Sequence, residues 1–477
     1  MLKEKGAKKI RTRIAPSPTG PMHAGTARSA LFNFIFAKQH GGDFVLRIED
    51  TDLERSDTIF EKDIRESLEW LGLDWDEFYR QSERADIYEK YLKNLLDAGL
   101  IFWCPHSEED LAKERQEQMS RKEAMKHVCS HRNKTGAMDD KKGILRFKNN
   151  FSKEISFNDL VRGDISFDSG ILGDFSIAKN LRTPLYNFAV VIDDREMAIT
   201  HVIRGEDHIS NTPKQILLQN ALDFPRPLYA HLPLILGLDR SKLSKRHGAK
   251  SVLEYRKTGY LPEALLNFLI LLGWHPAPDK DGREKEIFTK KEMLQEFSLN
   301  KVQKGGAVFT IDKLNWLNRT FIKNLNQADF SERLLPFTED LAEKINENHD
   351  KWSKVLSLTK ERLTTLDEIG DMAEIFYKDP FYPKELLFWK EGQSAENIVR
   401  HLRHIHAYLS GTNSWNKKDL EDGIAEYSKK EGRGETLWPF RVALSGKRHS
   451  AGPFEIAEIL GKEESVKRIE KAIKMFE

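Results

Sequence analysis

The sequence predicts an α/β protein in which a doubly wound parallel sheet is split by an α+β insertion and followed by an all-helical region. Three observations predict it. A β-α-β pattern opens the chain, strand patterning resumes near residue 187 after a stretch of different texture, and strand signal nearly vanishes beyond about residue 255. Strands alternating with amphipathic helices pair in parallel through right-handed crossovers, which is the logic of a Rossmann-like core. At ~150 residues per domain, the 477 residues amount to about three domains.

The elements follow in order. Residues 10–15 (IRTRIA) form a short strand and residues 16–25 (PSPTGPMHAG) a turn-rich loop. Residues 26–39 carry Leu31, Phe34 and Ile35 at helical spacing, with Thr26 as N-cap, and Gly41-Gly42 ends that helix. Residues 44–48 (FVLRI) are the next strand. Two amphipathic helices follow, one presenting Ile64, Leu68 and Leu71, the other Tyr88, Tyr91, Leu92 and Leu95. Residues 101–185 read as the insertion, with a charged helix over 108–126 and short strands such as 143–149. Strands at 187–193 (NFAVVID) and 198–203 (AITHVI), then a helix from Asn211, complete the first sheet. Helical spacing then dominates, as in 262–272, 350–369 and 456–476, with no fixed-period repeat and no low-complexity linker.

Composition narrows the class. Hydrophobic residues make up 39% and aromatics 10%, enough for sizeable cores, which excludes wholesale disorder. The 76 Lys and Arg nearly cancel 75 Asp and Glu, which excludes a uniformly basic coat but leaves room for a local basic face. Two cysteines, Cys104 and Cys129, make no disulfide scaffold and favour a reducing compartment. The opening MLKEKGAKKIRTR has no apolar stretch and does not read as a signal peptide. The longest apolar run, residues 265–274, contains Asn267 and is too short to cross a bilayer. The expectation is a cytoplasmic, multidomain protein.

Three constellations carry chemistry. In PSPTGPMHAGT, between a strand and a helix, Gly20 and Gly25 let backbone approach a ligand and the helix start offers unpaired N–H groups to an anion. His23 adds a donor of adjustable charge, although an isolated H-x-G is equally an ordinary turn with a surface histidine. In DRSKLSKRHG, residues 239–248, five basic side chains (Arg240, Lys242, Lys245, Arg246 and His247) lie in a segment without hydrophobic periodicity. Such a loop can close over a triphosphate, or be a solvated charge run. Cys104-x-His106 and Cys129-x-His131 pair two thiols with two imidazoles across a helix, a donor set suited to tetrahedral zinc, the alternative being buried thiols beside surface histidines.

Together, H-x-G at the first strand–helix turn and K-L-S-K-R about 200 residues later resemble the paired signatures of class I aminoacyl-tRNA synthetases. PSPTG, ARSALFN, RIEDTD at Arg47 to Asp52, HVIRGEDHISNTPKQ at His201 to Gln215, DKLNWLN at Asp312 to Asn318 and the closing stretch from Arg441 to Ile469 resemble bacterial-type glutamyl-tRNA synthetases, in order and over nearly the whole chain. The resemblance implies a domain order of 1–100 and 186–240 as the two catalytic halves, 101–185 as an acceptor-binding insertion, 241–322 as a stem-contact domain and 323–477 as a helical anticodon-binding domain. It implies that His23, Gly25, Thr26, Lys245 and Arg246 contact ATP, with His23, Lys242 and Lys245 catalytic. Arg13, Ala15, Ser17, Glu49, Tyr186 and Arg204 would form the glutamate pocket, where cationic forks suit a dicarboxylate. Cys104, His106, Cys129 and His131 would hold structural zinc. The sequence departs from the class pattern in lacking a histidine at position 26 and in placing Leu243 and Arg246 in the lysine loop.

The implied reaction is two-step. With Mg²⁺ and the basic loop neutralising pyrophosphate, glutamate and ATP form glutamyl-adenylate, and the terminal adenosine of tRNA-Glu then takes the acyl group. The basic stretch 113–134 would grip the acceptor arm, and anticodon bases can stack on aromatics such as Trp415, Trp438 or Phe440, although each of these alone reads more readily as core than as platform. The protein is expected to be a monomer without membrane contact. The rival is a non-discriminating or tRNA-Gln-directed enzyme, decided by residues near 361–367.

Overall fold

The computed structural model describes residues 9–52, 54–133, 143–150, 154–244, 246, 248, 250–278 and 280–477. They fall into two compact units, one running up to Arg256 and including Pro262–Leu317, the other combining Lys257–Leu261 with Asn318–Glu477.

The first unit opens with β1 (Arg11–Ile14), α1 (Ala24–Gln39), β2 (Asp43–Ile48), α2 (Thr58–Trp70), β3 (Glu77–Arg80) and α3 (Ala85–Asp97). β2 pairs in parallel with β1 and β3. Its Phe44, Val45, Leu46 and Ile48 are all buried, the signature of a central strand covered on both faces. Arg47 is fully buried in the same run, a charge that must find partners inside. At Gly42 a Cβ would lie 2.2 Å from Ile10 O, so only glycine lets the chain leave α1 this close to the first strand.

The insertion contributes β4 (Ile101–Cys104), α4 (Glu108–Ser120), β5 (Ile144–Phe147), β6 (Glu154–Asp159), β7 (Gly163–Asp168), β8 (Ser176–Asn180) and β9 (Thr183–Pro184). β4, β5, β8 and β9 make an antiparallel sheet. α4 starts on a Ser107–Asp110 capping box and stops at Ser120, six residues short of the expected end, where Lys122 takes a positive φ of 55°. The β6–β7 hairpin leaves the insertion and joins the main sheet through Asp159 opposite Tyr229.

α5 (Tyr186–Glu196), β10 (His201–Gly205), α6 (Thr212–Ala221) and β11 (Leu228–Leu232) complete the core. The expected strand at 187–193 is instead α5. Phe188 through Asp194 are buried all round, and a short, continuously apolar run does not by its pattern separate a buried helix from a buried strand. β10 pairs in parallel with β11. It lies beside β1, where Thr200 N donates to Arg11 O at 2.9 Å and Arg11 N to Thr200 Oγ1 at 2.8 Å. Further on come β12 (Ile235–Leu236), α7 (Val252–Lys257), α8 (Pro262–Leu271), α9 (Lys290–Glu296), β13 (Ala307–Val308) paired with β12, and α10 (Ile311–Asn324).

The second unit is helical. The segment expected as one helix over 350–369 ends at Lys360 and restarts at Ile369. That over 456–476 breaks at Gly461, φ 83°, into Pro453–Leu460 and Lys462–Lys474. Among the described residues no helix is long and apolar enough to cross a membrane.

Candidate active site

The turn between β1 and α1 is built around His23. The N-cap of α1 is His23, not Thr26: its Nδ1 accepts from Gly25 N at 3.1 Å and Thr26 N at 3.3 Å. An imidazole nitrogen does here what a serine oxygen usually does, satisfying orphan helix donors. A Cβ on Gly25 would sit 3.1 Å from the His23 ring, so glycine keeps the ring seated. Because Nδ1 accepts, the ring is neutral. Burial first, and the nearby charge of Lys242 second, hold its pKa below the ordinary histidine value against a smaller pull from Asp207.

The basic loop meets this turn. Val252 N donates to Met22 O at 2.9 Å, and His23 and Ser251 form an isolated antiparallel bridge. Lys242 Nζ lies 2.9 Å from Asp207 Oδ2, just beyond β10. The loop's entry is fixed by Leu243 N on Ile235 O at 2.9 Å and by a turn in which Gly237 N reaches Ser241 O. Arg246 donates to Ser241 Oγ at 3.1 Å. Lys245 and His247 lie outside the described residues.

A buried cluster of charges is built on β1, β2 and α5. Arg13, on β1, pairs with Asp194 at 3.2 Å. Arg47 pairs with Asp194 at 2.7 Å and Glu49 at 3.0 Å. Asp193 is held by Arg84 at 2.7 Å, Gln81 at 2.7 Å and Tyr88 at 2.9 Å. Burial pushes the Glu49 carboxyl above its ordinary range, with Arg47 and Arg13 opposing. Tyr186, at the start of α5, feels the charges of Arg204, Glu49 and Arg13, and its hydroxyl is 3.0 Å from His208 Nδ1. Burial, then Arg204, lower His208 to about 4, so His208 is neutral and Tyr186 donates to it. Arg204 is 6% exposed; its Nε meets His231 Nε2 at 3.2 Å, its Nη2 meets Thr212 Oγ1 at 2.8 Å, and Nη1 is buried with no protein partner.

Arg13, Glu49 and Arg204 thus all lie close enough to Tyr186 for their charges to act on it, and the charge of Lys242 acts on His23. Ala15 is half-buried and Ser17 exposed on the connecting loop, where Glu49 N donates to Pro16 O at 3.0 Å. Sequence reasoning missed Asp193, Asp194, His208, Asp159 and His231. Asp193 closed a stretch read as strand, and Asp194 fell just beyond it.

In the insertion, Cys104, His106, His127 and Cys129 place one donor atom each within 4.8 Å of all the others. His127 enters this group and His131 does not; its Nδ1 stands 3.9 Å from Cys129 Sγ. Cys104 Sγ is 3.4 Å from His106 Nδ1 and 3.5 Å from His127 Nε2, and Cys129 Sγ is 3.5 Å from His106 Nδ1. Bonds of ~2.3 Å to sulfur and ~2.05 Å to nitrogen give a tetrahedral S–N edge of about 3.5 Å, so this donor set fits zinc. His127 Nδ1 is 2.5 Å from Glu114 Oε2, which turns Nε2 towards the cluster.

The aromatics expected to stack on RNA are otherwise engaged. Phe440 is buried, Trp415 Nε1 donates to Ala457 O at 2.9 Å and Trp438 Nε1 to Leu386 O at 2.8 Å. Phe381 is the fully exposed aromatic of this unit.

Residues 9–316 match the family model described as "tRNA synthetases class I (E and Q), catalytic domain", and residues 329–473 match "Anticodon binding domain". The chain is 44% identical to the glutamate–tRNA ligase of Carboxydothermus hydrogenoformans over 96% of its length and 99% of that protein's. It is 42% identical to that of Aquifex aeolicus, covering 97% and 98%. The crystal structure of a glutamate tRNA ligase from Elizabethkingia meningosepticum in complex with its amino acid superposes with a TM-score of 0.83 at 34% identity, covering 98% of this chain and all of that one. Sequence, fold and domain order agree: this chain belongs to the glutamate–tRNA ligase family of class I aminoacyl-tRNA synthetases.

Proposed function

We propose that the chain activates L-glutamate with ATP as glutamyl-adenylate and transfers the glutamyl group to the 3′-terminal adenosine of tRNA-Glu. The observation that carries this reading is Arg204, a buried guanidinium with an unpartnered donor, whose charge acts on Tyr186 together with those of Arg13 and Glu49. Buried donors are normally satisfied, and a bound carboxylate would satisfy this one.

The residues take the following parts. Arg204 holds a carboxylate of glutamate, and Arg13, held by Asp194, stands beside it. Glu49 accepts the α-ammonium, whose charge draws its raised pKa back down, and Tyr186 fixes the pocket wall through His208. Ala15 and Ser17 supply the loop over which the amino acid lies. His23, Gly25 and Thr26 present the start of α1 to ATP, and Lys242, Lys245 and Arg246 neutralise its triphosphate. The α-carboxylate oxygen attacks the α-phosphorus in line, the bond to the bridging oxygen breaks, and pyrophosphate leaves. Mg²⁺ travelling with ATP supplies further charge neutralisation. The ribose hydroxyl of the terminal adenosine then attacks the acyl carbon and AMP departs. Positioning and charge stabilisation suffice for both steps, and no side chain is assigned as general base.

Structural zinc belongs to this reading, held by Cys104, His106, His127 and Cys129. Four protein donors leave no open position, so the ion would organise the insertion and take no part in the chemistry. The enzyme is read as a cytoplasmic monomer whose insertion grips the acceptor arm and whose helical unit reads the anticodon, with the five-part division at 100, 185, 240 and 322 as its working map. Charging assays with labelled glutamate and purified tRNA-Glu and tRNA-Gln test it: glutamate attached to tRNA-Glu alone is expected. Equal charging of both tRNAs would transfer the assignment to the non-discriminating enzyme.

A further inference from the structure

Two of the three guanidinium nitrogens of Arg204 are pinned by neutral groups. Arg13 and Arg47 each pair with Asp194, but the side-chain partners of Arg204 are His231 and Thr212. Arg204 and His231 sit opposite each other in the parallel β10–β11 ladder, and the His231 side chain is completely buried. A guanidinium N–H can only donate, so His231 Nε2, 3.2 Å from Arg204 Nε, carries no proton. The ring proton is therefore on Nδ1, which faces Asp159 Oδ2 at 2.7 Å. Asp159 is itself fixed at the end of β6: its Oδ1 accepts from Val161 N at 3.0 Å and Arg162 N at 2.8 Å, and its Oδ2 accepts from His231 N at 3.1 Å. Burial works against the Asp159 charge, but the bonds from His231 and Arg162 N hold its pKa below the ordinary value. Burial likewise keeps His231 neutral against the pull of Asp159, with Arg204 and Arg162 acting in the same direction as burial.

We infer that Asp159 and His231 are a positioning pair: Asp159 locks the tautomer of His231, which aims Arg204 at a carboxylate of the amino acid substrate. The inference deepens the proposed glutamate activation and rests on it. A partner that accepts without carrying negative charge orients the guanidinium and leaves its charge for the ligand, where an aspartate would have neutralised it. Thr212 completes the cradle, its hydroxyl 3.1 Å from His231 Nε2. The hairpin carrying Asp159 thereby contributes to the amino acid site although it touches no substrate.

Asp159→Asn is the discriminating change, because it keeps size and removes the lock. The amide orientation that preserves the bonds from Val161 N and Arg162 N puts an N–H₂ against His231 Nδ1, drives the ring proton to Nε2 and sets it against Arg204 Nε. Steady-state ATP–pyrophosphate exchange, run with tRNA-Glu present, should show KM for glutamate raised about tenfold or more, with KM for ATP within about threefold of the parent. A glutamate KM within about twofold of the parent overturns the inference. A parent enzyme without glutamate-dependent exchange overturns the ligase reading itself. Should Asp159→Asn not fold, His231→Gln, which keeps an acceptor for Arg204, is compared with His231→Leu, which does not. A lower glutamate KM for His231→Gln supports the pair, and equal values overturn it.

Discussion

His201 and His208 are each lowered to about 4, His201 by burial and then His40, His208 by burial and then Arg204. The sign of the resulting pH dependence follows directly. Unfolded histidines take up protons near 6.5, whereas these two resist until about 4, so the unfolded chain binds more protons in between. Their contribution to stability is complete above about 6.5 and drains away as pH falls towards 4. Urea denaturation at pH 7.5 and pH 5 should show a lower midpoint at pH 5, and His201→Gln should shrink the difference. A difference unchanged by that substitution would contradict it. At this scale the motif residues were legible because each sits in a short run of unusual composition, as His23 does in PSPTGPMHAGT. The residues that orient them were not: nothing local in the sequence marks Asp159 or His231, which are brought to Arg204 by strand pairing alone.

Elements were legible where their periodicity was clean. α2 buries Ile64 and Leu68 and α3 buries Tyr88, Leu92 and Leu95, the stripes expected of them. α5 was not, since burial on all sides erases the amphipathic pattern that separates helix from strand. The start of α1 was misplaced by three residues because an imidazole cap is read as a functional group before it is read as a cap. In the insertion, C-x-H spacing favoured His131, while the course of the chain beyond α4 turns His127 inward against Glu114. Metal analysis separates the two: Cys129→Ser and His127→Ala should lose about one zinc per chain, and His131→Ala should retain it. Zinc lost from His131→Ala and kept by His127→Ala would restore the spacing-based ligand set. Replacing Gly25 by alanine should crowd the His23 ring and raise KM for ATP with little change in KM for glutamate, measurable in the same exchange assay.

The whole chain is nearly neutral, so its attraction for a polyanion has to come from local concentration of charge. α4 and the segment after it place Lys113, Arg115, Arg121, Lys122, Lys126 and Arg132 within one short stretch of the insertion. If this stretch grips the acceptor arm, KM for tRNA rises steeply with salt as phosphate contacts release counterions, and neutralising Lys113 and Arg121 flattens that slope. A salt-insensitive KM for tRNA would contradict the basic-face account. A chain of two compact units also predicts that thermal unfolding departs from a single two-state transition, which calorimetry measures.

The central claim is that the histidine turn and the lysine loop close on one triphosphate beside a pocket built for glutamate. Isotope exchange between pyrophosphate and ATP tests it most directly, in the presence of tRNA-Glu and either glutamate or glutamine. Exchange that requires glutamate, ignores glutamine and disappears in Arg204→Ala is the predicted result. Exchange supported equally by glutamine, or undiminished by Arg204→Ala, would contradict it.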